Sequence, residues 1–219
     1  MKSLRESLLD DDLDTSFDKN IKAEIKKFLK LNYKGHSSCK ISREPNQYGK
    51  YEVSSTKDID VINKNITSLT NGMFVWTTVD GYFRFVSCNS LKSLDGSPKK
   101  VGRDFYCFNC NSLTSLEGAP KEIGGGFYFD SSQSLKSLEG SPKEVGGDFY
   151  CYNCGSLTSL DGVPKEVKKD FSCINCESLI SLDGAPKKVG GDFNCYGCAG
   201  KFTIEDVKKI SDVKGKIKC

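Results

Sequence analysis

Cysteine is the residue type with the greatest chemical potential in this 219-residue chain, which contains eleven of them. Cys151 and Cys154 form one Cys-x-x-Cys pair, and Cys173 and Cys176 form the next. This spacing is typical of structural zinc sites, in which four thiolates surround the ion. The position 22 residues before Cys151 holds Phe129, however, and a position that accepts phenylalanine belongs to a core. We therefore predict buried thiols and no metal or other cofactor.

The second cysteine of each pair, such as Cys154, lies where the chain is expected to turn. We expect its thiol to meet backbone groups of its own turn or of an adjacent one, as a weak hydrogen-bond donor. The odd number of cysteines and the lack of an apolar signal segment at the start of the chain also argue against disulfides, so we expect reduced thiols. We expect Cys39 and Cys219, which lie outside the repeats, to be more exposed.

Catalytic chemistry has few candidates. His36 is the only histidine, so any Ser-His or Cys-His nucleophilic pair would require it. It lies in a Gly-His-Ser-Ser segment that we interpret as a loop. The segment 197–201 lacks the spacing of a phosphate-binding loop and the Ser or Thr that follows its lysine. We therefore predict that the protein is not an enzyme.

A repeat of 22 residues must position these side chains. Each unit contains leucine, an acidic residue, glycine, a small residue, proline and lysine in that order, and a phenylalanine recurs at the same interval. A fixed period of this size is typical of a solenoid. The run Phe149-Tyr-Cys-Tyr152 alternates constant and variable residue types, which predicts a strand with Phe149 and Cys151 facing inward. The repeated positions are Leu94, Leu116, Leu138, Leu160 and Leu182, and Phe83, Phe105, Phe127, Phe149, Phe171 and Phe193.

The run Cys-x-Ser-Leu-Thr-Ser-Leu at 154–160, with Pro164 and Val167 after it, resembles a leucine-rich repeat. It is similar to the short cysteine-containing bacterial and bacteriophage kinds that resemble Bacteroides surface-protein-A-like repeats. The resemblance covers residues 59–199. It departs from the common pattern because Phe and Cys replace the strand leucines and Cys154 replaces an asparagine. It implies a binding scaffold, and such scaffolds take many unrelated partners, so it names no function.

We therefore predict an α+β fold, a leucine-rich-repeat solenoid whose parallel β-sheet receives one strand from each 22-residue repeat. An N-terminal cap over 1–58 is expected to contain a helix over 17–31 and a β-hairpin over 39–54. The solenoid occupies 59–199, and a C-terminal cap over 200–219 holds a short helix that begins at a capping box. We interpret the acidic run at 10–14 as a solvated linker or a helix start. Trp76 is predicted to pack against the N-terminal cap.

The charge and hydropathy of the sequence limit where the protein can be located and which class of ligand it can bind. The net charge is only +3, which gives no argument for nucleic acid, and we expect none to be bound. A row of lysines that could follow a phosphate backbone is balanced by glutamates, so we interpret it as a solvated edge. No stretch is apolar and long enough to span a membrane. We expect a cytoplasmic protein, located in the host cytoplasm if a bacteriophage encodes it. The row contains Lys99, Lys121, Lys143, Lys165 and Lys187.

The outward strand positions are the candidate binding site, because they vary while the inward positions stay constant. Exposed Tyr and Phe in contiguous rows are typical of interface hot spots. The alternative is that these aromatic ladders only stiffen the sheet. The predicted partner-binding residues are Arg84, Tyr106, Phe108, Tyr128, Asp130, Tyr150, Tyr152, Ile174 and Tyr196, with Asp148 and Asp170 at the border.

Three hypotheses for function follow. The first is a non-enzymatic module that binds one protein partner; the resemblance to bacteriophage repeats extends this to an inhibitor of a host protein of anti-phage defence. The second is a virion or surface component that assembles through the same face. The third is a zinc-dependent nucleic-acid binder. The identity of the partner and the oligomeric state stay open.

Overall fold

A long N-terminal helix packs against the start of the solenoid. The computed structural model describes residues 4–219, and for residues 4–17 it describes only the backbone. Helix α1 spans Leu4–Asn32. Ile25 and Leu29 lie one turn apart on its buried side, with 0% and 2% of their surface exposed. The predicted helix is confirmed, but it begins at Leu4 rather than at residue 17. The acidic run at 10–14 therefore lies inside the helix, neither in a linker nor at its start.

The segment after α1 forms the predicted hairpin. Strand β1 (Tyr33–Lys34) is followed by a 3-10 turn at His36–Ser38, β2 (Cys39–Ile41) and β3 (Tyr51–Ser55). β2 and β3 pair antiparallel with Ile41 opposite Val53. The Asn46 side chain holds the turn by accepting the backbone N–H groups of Tyr48 and Lys50, at 3.0 and 3.2 Å. His36 is thus in a turn, as expected.

The rest of the chain is a β-solenoid. The predicted parallel strand in each 22-residue repeat is confirmed. Each coil also has a second strand that the sequence analysis did not predict, which is two residues long except at Phe74–Val79. The remaining elements are β4 (Ile59–Val61), β5 (Phe74–Val79), β6 (Phe83–Val86), β7 (Lys100–Val101), β8 (Phe105–Phe108), β9 (Glu122–Ile123), β10 (Phe127–Asp130), β11 (Glu144–Val145), β12 (Phe149–Tyr150), β13 (Glu166–Val167), β14 (Phe171–Ser172), β15 (Lys188–Val189), β16 (Phe193–Asn194), α2 (Ile204–Ile210), β17 (Asp212–Val213) and β18 (Ile217–Lys218).

Three sheets run along the solenoid. The nine-stranded sheet has the order β1-β4-β6-β8-β10-β12-β14-β16-β18, and all of its pairs are parallel except β1 with β4. The second sheet has the order β11-β9-β7-β5-β3-β2, and the third has the order β13-β15-β17. The hairpin therefore extends the second sheet at its N-terminal end, because β3 pairs parallel with β5.

A phenylalanine ladder fills the interior behind the nine-stranded sheet. Neighbouring rings of the ladder have centroids 4.9 to 6.1 Å apart, and each ring is fully buried. A single 22-residue coil cannot enclose such a side chain, so each ring is covered by the coils before and after it. Burying one phenylalanine contributes roughly 1.5–3 kcal/mol, which makes coil stacking the main source of stability.

Each coil turns at two residues in the left-handed conformation. One is a Ser or Asn at the end of the outward strand segment, such as Asn109 with φ of 54°, which directly follows β8. The other is a glycine, such as Gly162 with φ of 101°, where a methyl group would overlap the carbonyl of Leu138 in the preceding coil. Asparagine and glycine adopt this conformation at low cost, so the turns fix the register of every coil.

The two ends of the solenoid are covered as predicted. Trp76 is 1% exposed and contacts Tyr33 edge to face, with the ring centroids 5.5 Å apart, so it packs against the N-terminal segment. At the other end Thr203 begins α2 with a reciprocal capping box, and Val207 is buried. β17 and β18 then continue the third and the nine-stranded sheet for one more coil. Across residues 4–219, neither helix is apolar and long enough to cross a membrane.

Candidate partner-binding face of the nine-stranded sheet

Parallel register brings the predicted binding residues together in two rows. In the first row Tyr106 lies beside Tyr128, and Tyr128 beside Tyr150. In the second row Phe108 lies beside Asp130, and backbone hydrogen bonds beyond the strand ends carry the row on to Tyr152. We call the outward surface of these strands the aromatic face. Its members are Arg84, Tyr106, Phe108, Tyr128, Asp130, Tyr150, Tyr152, Ile174, Tyr196, Asp148 and Asp170.

The centre of the aromatic face is one continuous stack of rings. Tyr106 and Tyr128 are nearly parallel, with centroids 5.0 Å apart and an interplanar angle of 12°. Tyr128 meets Tyr150 edge to face at 5.3 Å, and Tyr150 stacks on Tyr152 at 5.0 Å. Phe108 lies 5.4 Å from Tyr106. These side chains are half-buried, so the stack presents a preformed aromatic surface to solvent.

Gly126 makes room for the centre of this stack. The other coils carry Tyr or Asp at the equivalent position, and a methyl group at Gly126 would overlap the ring of Tyr128. The Tyr128 ring therefore lies against bare backbone. The sequence analysis missed this role because Gly126 extends the Gly-Gly phrase of the repeat. The signal was present as the one glycine in a column that otherwise holds Tyr or Asp.

The aspartates before each strand act as positioning residues. One oxygen of Asp148 accepts the backbone N–H of Asp170 at 3.0 Å, and the other accepts the hydroxyl of Tyr128 at 2.9 Å. Asp170 accepts the backbone N–H of Asp192 at 2.7 Å and the hydroxyl of Tyr150 at 3.3 Å. Each carboxylate thus joins two coils and holds one tyrosine. Asp148 and Asp170, predicted as border contacts, hold tyrosine hydroxyls of the face from positions directly before β12 and β14.

Asp104 has the same role and was absent from the predicted set. It accepts the backbone N–H of Gly126 at 2.7 Å and the hydroxyl of Tyr106 at 2.8 Å. Its recurrence in the column of Asp148 and Asp170 was the available signal. Each of these three carboxylates therefore fixes one tyrosine hydroxyl and the backbone of the following coil.

The phenols of the stack stay protonated near neutral pH. Burial raises the pKa of Tyr106 to about 12, and its hydrogen bond to Asp104 raises the pKa in the same direction. Burial also raises the pKa of Tyr128 and of Tyr150, with the neighbouring aspartates adding to the shift. The hydroxyls therefore act as donors to the carboxylates, and the negative charge of the face resides on the aspartates.

Negative charge dominates the middle of the aromatic face. Asp130 lies in the second row between Phe108 and Tyr152, and burial raises the pKa of its carboxyl. Within the part of the chain that the structure describes, no Lys, Arg or His forms a salt bridge with four of the carboxylates. These are Asp104, Asp130, Asp148 and Asp170.

Both ends of the face differ from its centre. Arg84 at the N-terminal end forms a salt bridge with Asp60 at 2.7 Å and lies 5.2 Å from the Tyr82 ring centroid, so its charge is compensated. At the C-terminal end Ile174 is half-buried and Tyr196 is 64% exposed. The tyrosine row is interrupted there by Ser172, which is only 3% exposed. The predicted site therefore has one aromatic centre with two weaker flanks.

No model of a protein family, no curated protein and no solved structure matches the chain. The 22-residue parallel solenoid is confirmed by the fold, and membership of the leucine-rich-repeat family stays a prediction. Function is therefore argued from the geometry of the aromatic face.

The paired cysteines lie on the opposite, inward side of the same coils. Cys151, Cys154, Cys173 and Cys176 are fully buried, and burial raises the pKa of Cys151. The Cys154 thiol donates to the carbonyls of Tyr152 at 3.6 Å and, in the preceding coil, of Phe129 at 3.8 Å. The expected backbone contacts are thus found. Among residues 4–219 no three His, Cys, Asp or Glu side chains are grouped to hold a metal ion. Cys219 is exposed and Cys39 is half-buried.

Proposed function

We propose that the protein is a non-enzymatic interaction module that binds a protein partner through the aromatic face. The observation that carries the proposal is the prearranged stack of Tyr106, Tyr128, Tyr150 and Tyr152. Aromatic side chains dominate interface hot spots, and rings already held in place lose little conformational entropy on binding. A ladder that served only to stiffen the sheet would not need hydroxyls anchored to carboxylates on its solvent side.

The charge of the face favours a basic partner. Four aspartates that form no salt bridge with a described residue lie around rings whose faces attract cations. The geometry of Arg84 over the Tyr82 ring, 5.2 Å from its centroid, is an internal example of the contact expected from a partner arginine. We therefore propose that the partner presents Arg or Lys side chains to the centre of the face.

The same charge weighs against the other two hypotheses. Two copies of the chain that met through this face would bring like charges together, which disfavours a self-assembling virion or surface component. A nucleic-acid backbone would be repelled by the aspartates, and in the lysine row Lys121, Lys143 and Lys165 are each followed directly by a glutamate. A protein partner fits the face better than either alternative.

The resemblance to bacteriophage repeats extends the proposal to a biological role. A bacteriophage-encoded leucine-rich-repeat protein of this kind would act in the host cytoplasm, where an inhibitor of an anti-phage defence protein would meet its target. This extension depends on the resemblance and not on the geometry of the face.

Affinity capture from a bacterial host lysate tests the proposal. We compare the wild-type chain with a Tyr128→Ala, Tyr150→Ala double variant, and with Tyr48→Ala as the control, because Tyr48 is 77% exposed in the hairpin turn. We expect one partner to be retained by the wild type and the control. We expect the double variant to lose at least about thirtyfold in affinity, the effect of one hot-spot residue.

Circular dichroism and thermal unfolding must show that the double variant is folded. Raising the salt concentration should weaken capture by the wild type, since the proposed contacts pair opposite charges. Equal capture by the wild type and the folded double variant would show that the aromatic face is not the binding surface.

A further inference from the structure

A second site lies between α1 and the hairpin. A cleft of about 530 Å³ is enclosed by the C-terminal half of α1, the 3-10 turn and β2. None of its residues belongs to the aromatic face, so a ligand here would be independent of the proposed function. The lining consists of Lys22, Lys26, Leu29, Lys30, His36, Ser37, Cys39, Ile41, Ser42 and Arg43.

The floor of the cleft is apolar and uncharged. Leu29 is 2% exposed, while Ile41 and Cys39 are half-buried beside it. Burial raises the pKa of the Cys39 thiol to about 11, so near neutral pH the thiol is protonated and adds no negative charge. Such a floor can cover a flat ring or a short chain but offers nothing to a small hydrated ion.

The walls of the cleft are basic. Lys22, Lys26 and Lys30 recur every four residues on α1, which places them about 6 Å apart along one side of the helix. Lys22 is committed to the fold, since its ammonium donates to the Arg43 carbonyl and lies 3.7 Å from Asp18. Lys26 and Lys30 have no salt-bridge partner among the residues whose side chains are described.

Two further groups complete the cleft. The Arg43 guanidinium is 4.0 Å from Glu44, a long contact between two exposed side chains that leaves it available to a ligand. His36 Nδ1 lies 2.9 Å from the Tyr33 carbonyl, and because a carbonyl only accepts, Nδ1 carries the proton. Nε2 of His36 is then left for a ligand. Among the residues whose side chains the structure describes, no Asp or Glu lines the cleft.

We propose that this cleft binds a small organic anion with an apolar ring and more than one negative charge, the class that nucleoside phosphates represent. Three side chains supply charge: Lys26, Lys30 and Arg43. A monovalent acyl anion would leave most of this charge unused, and inorganic phosphate would leave the floor uncovered. The volume lies within the range of pockets that hold small molecules.

Isothermal titration calorimetry on the full chain tests the site with three probes: ADP, inorganic pyrophosphate and adenosine. We expect saturable binding of ADP, with an affinity at least about tenfold higher than that of pyrophosphate or adenosine. Only ADP has both phosphates for the basic walls of the cleft and a ring for its apolar floor. Replacement of two wall charges by Lys26→Gln, Lys30→Gln should weaken ADP binding by about tenfold or more.

The matched control is Lys27→Gln, Lys40→Gln, which removes the same charge from exposed positions of α1 and β2 outside the cleft. We expect it to bind ADP within about twofold of the wild type. The aromatic-face variant Tyr128→Ala, Tyr150→Ala should also bind ADP normally. The proposal is overturned if ADP does not saturate, if pyrophosphate binds as tightly as ADP, or if the control loses as much affinity as the wall variant.

Discussion

The two faces of the nine-stranded sheet are built from the same strands in different ways. On β12, Phe149 faces inward and Tyr150 outward. The inward ring is 0% exposed and is held by the rings of three neighbours, Phe127, Phe129 and Phe171. The outward ring is held by an edge-to-face contact with Tyr128, by stacking on Tyr152 and by a hydrogen bond to Asp170. The inward position is phenylalanine in successive coils because each ring packs against the next. The outward position is held by different contacts from coil to coil, so its residue type varies.

The largest effect should come from emptying the interior. Phe149→Ala removes a ring that the coils on both sides cover, so we expect a loss of about 3–5 kcal/mol in the free energy of unfolding. Tyr152→Ala on the outward side of the same coil should cost about 1 kcal/mol. Urea denaturation followed by circular dichroism measures both. Similar losses for the two variants would remove the energetic distinction between the faces.

A smaller effect is expected from filling the space that Gly126 leaves for the Tyr128 ring. Gly126→Ala should displace the Tyr128 ring from its place between Tyr106 and Tyr150. We expect a loss of about 1–2 kcal/mol in the free energy of unfolding, from the broken stack and the hydrogen bond to Asp148.

The double variant Gly126→Ala, Tyr128→Ala gives this prediction its control. Tyr128→Ala already removes the contacts that Gly126→Ala disrupts. The free energy of unfolding of the double variant should therefore lie within about 0.5 kcal/mol of that of Tyr128→Ala. A double variant whose loss equals the sum of the two single losses would show that Gly126 acts elsewhere.

The smallest effect should be a gain. Ser132 occupies the inward position that is cysteine in both neighbouring coils, is 0% exposed, and its hydroxyl has no hydrogen-bond partner. Ser132→Cys replaces an unsatisfied hydroxyl by a thiol that needs a partner less, so we expect a gain of about 1 kcal/mol in the free energy of unfolding. Ser141→Cys is the matched control and should lose stability, because the Ser141 hydroxyl donates to the Leu138 carbonyl at 2.6 Å. A loss in both variants would contradict the assignment of Ser132.

The period of the sequence was sufficient to predict the solenoid and the pairing of its strands. It also separated inward from outward residues, since Phe149 and Tyr150 alternate. The predicted start of α1 was wrong because the aspartates at 10–14 were interpreted as a solvated linker or a helix start. Aspartate costs less than about 0.7 kcal/mol per residue in a helix relative to alanine, which does not end one. The second strand of each coil was missed because two residues are too short for a pattern.

The roles of individual site residues were harder to predict. Asp104 acts on Gly126 and Asp148 on Asp170, each pair 22 residues apart, so these contacts exist only once the coils are stacked. The cleft arises only because β2 lies opposite the lysines of α1. The periodicity of a sequence predicts single helices and strands. It does not predict contacts between residues that meet only after the elements have packed together.

The constant length of the coil extends to the gene that encodes it. Phe105, Phe127 and Phe149 share one register, so excision of residues 127–148 would bring Phe149 beside Phe105 with the same backbone pairing. An in-frame loss or gain of one repeat in the gene would therefore remove or add one whole coil. Each such change would narrow or widen the aromatic face by one strand while both ends stay covered.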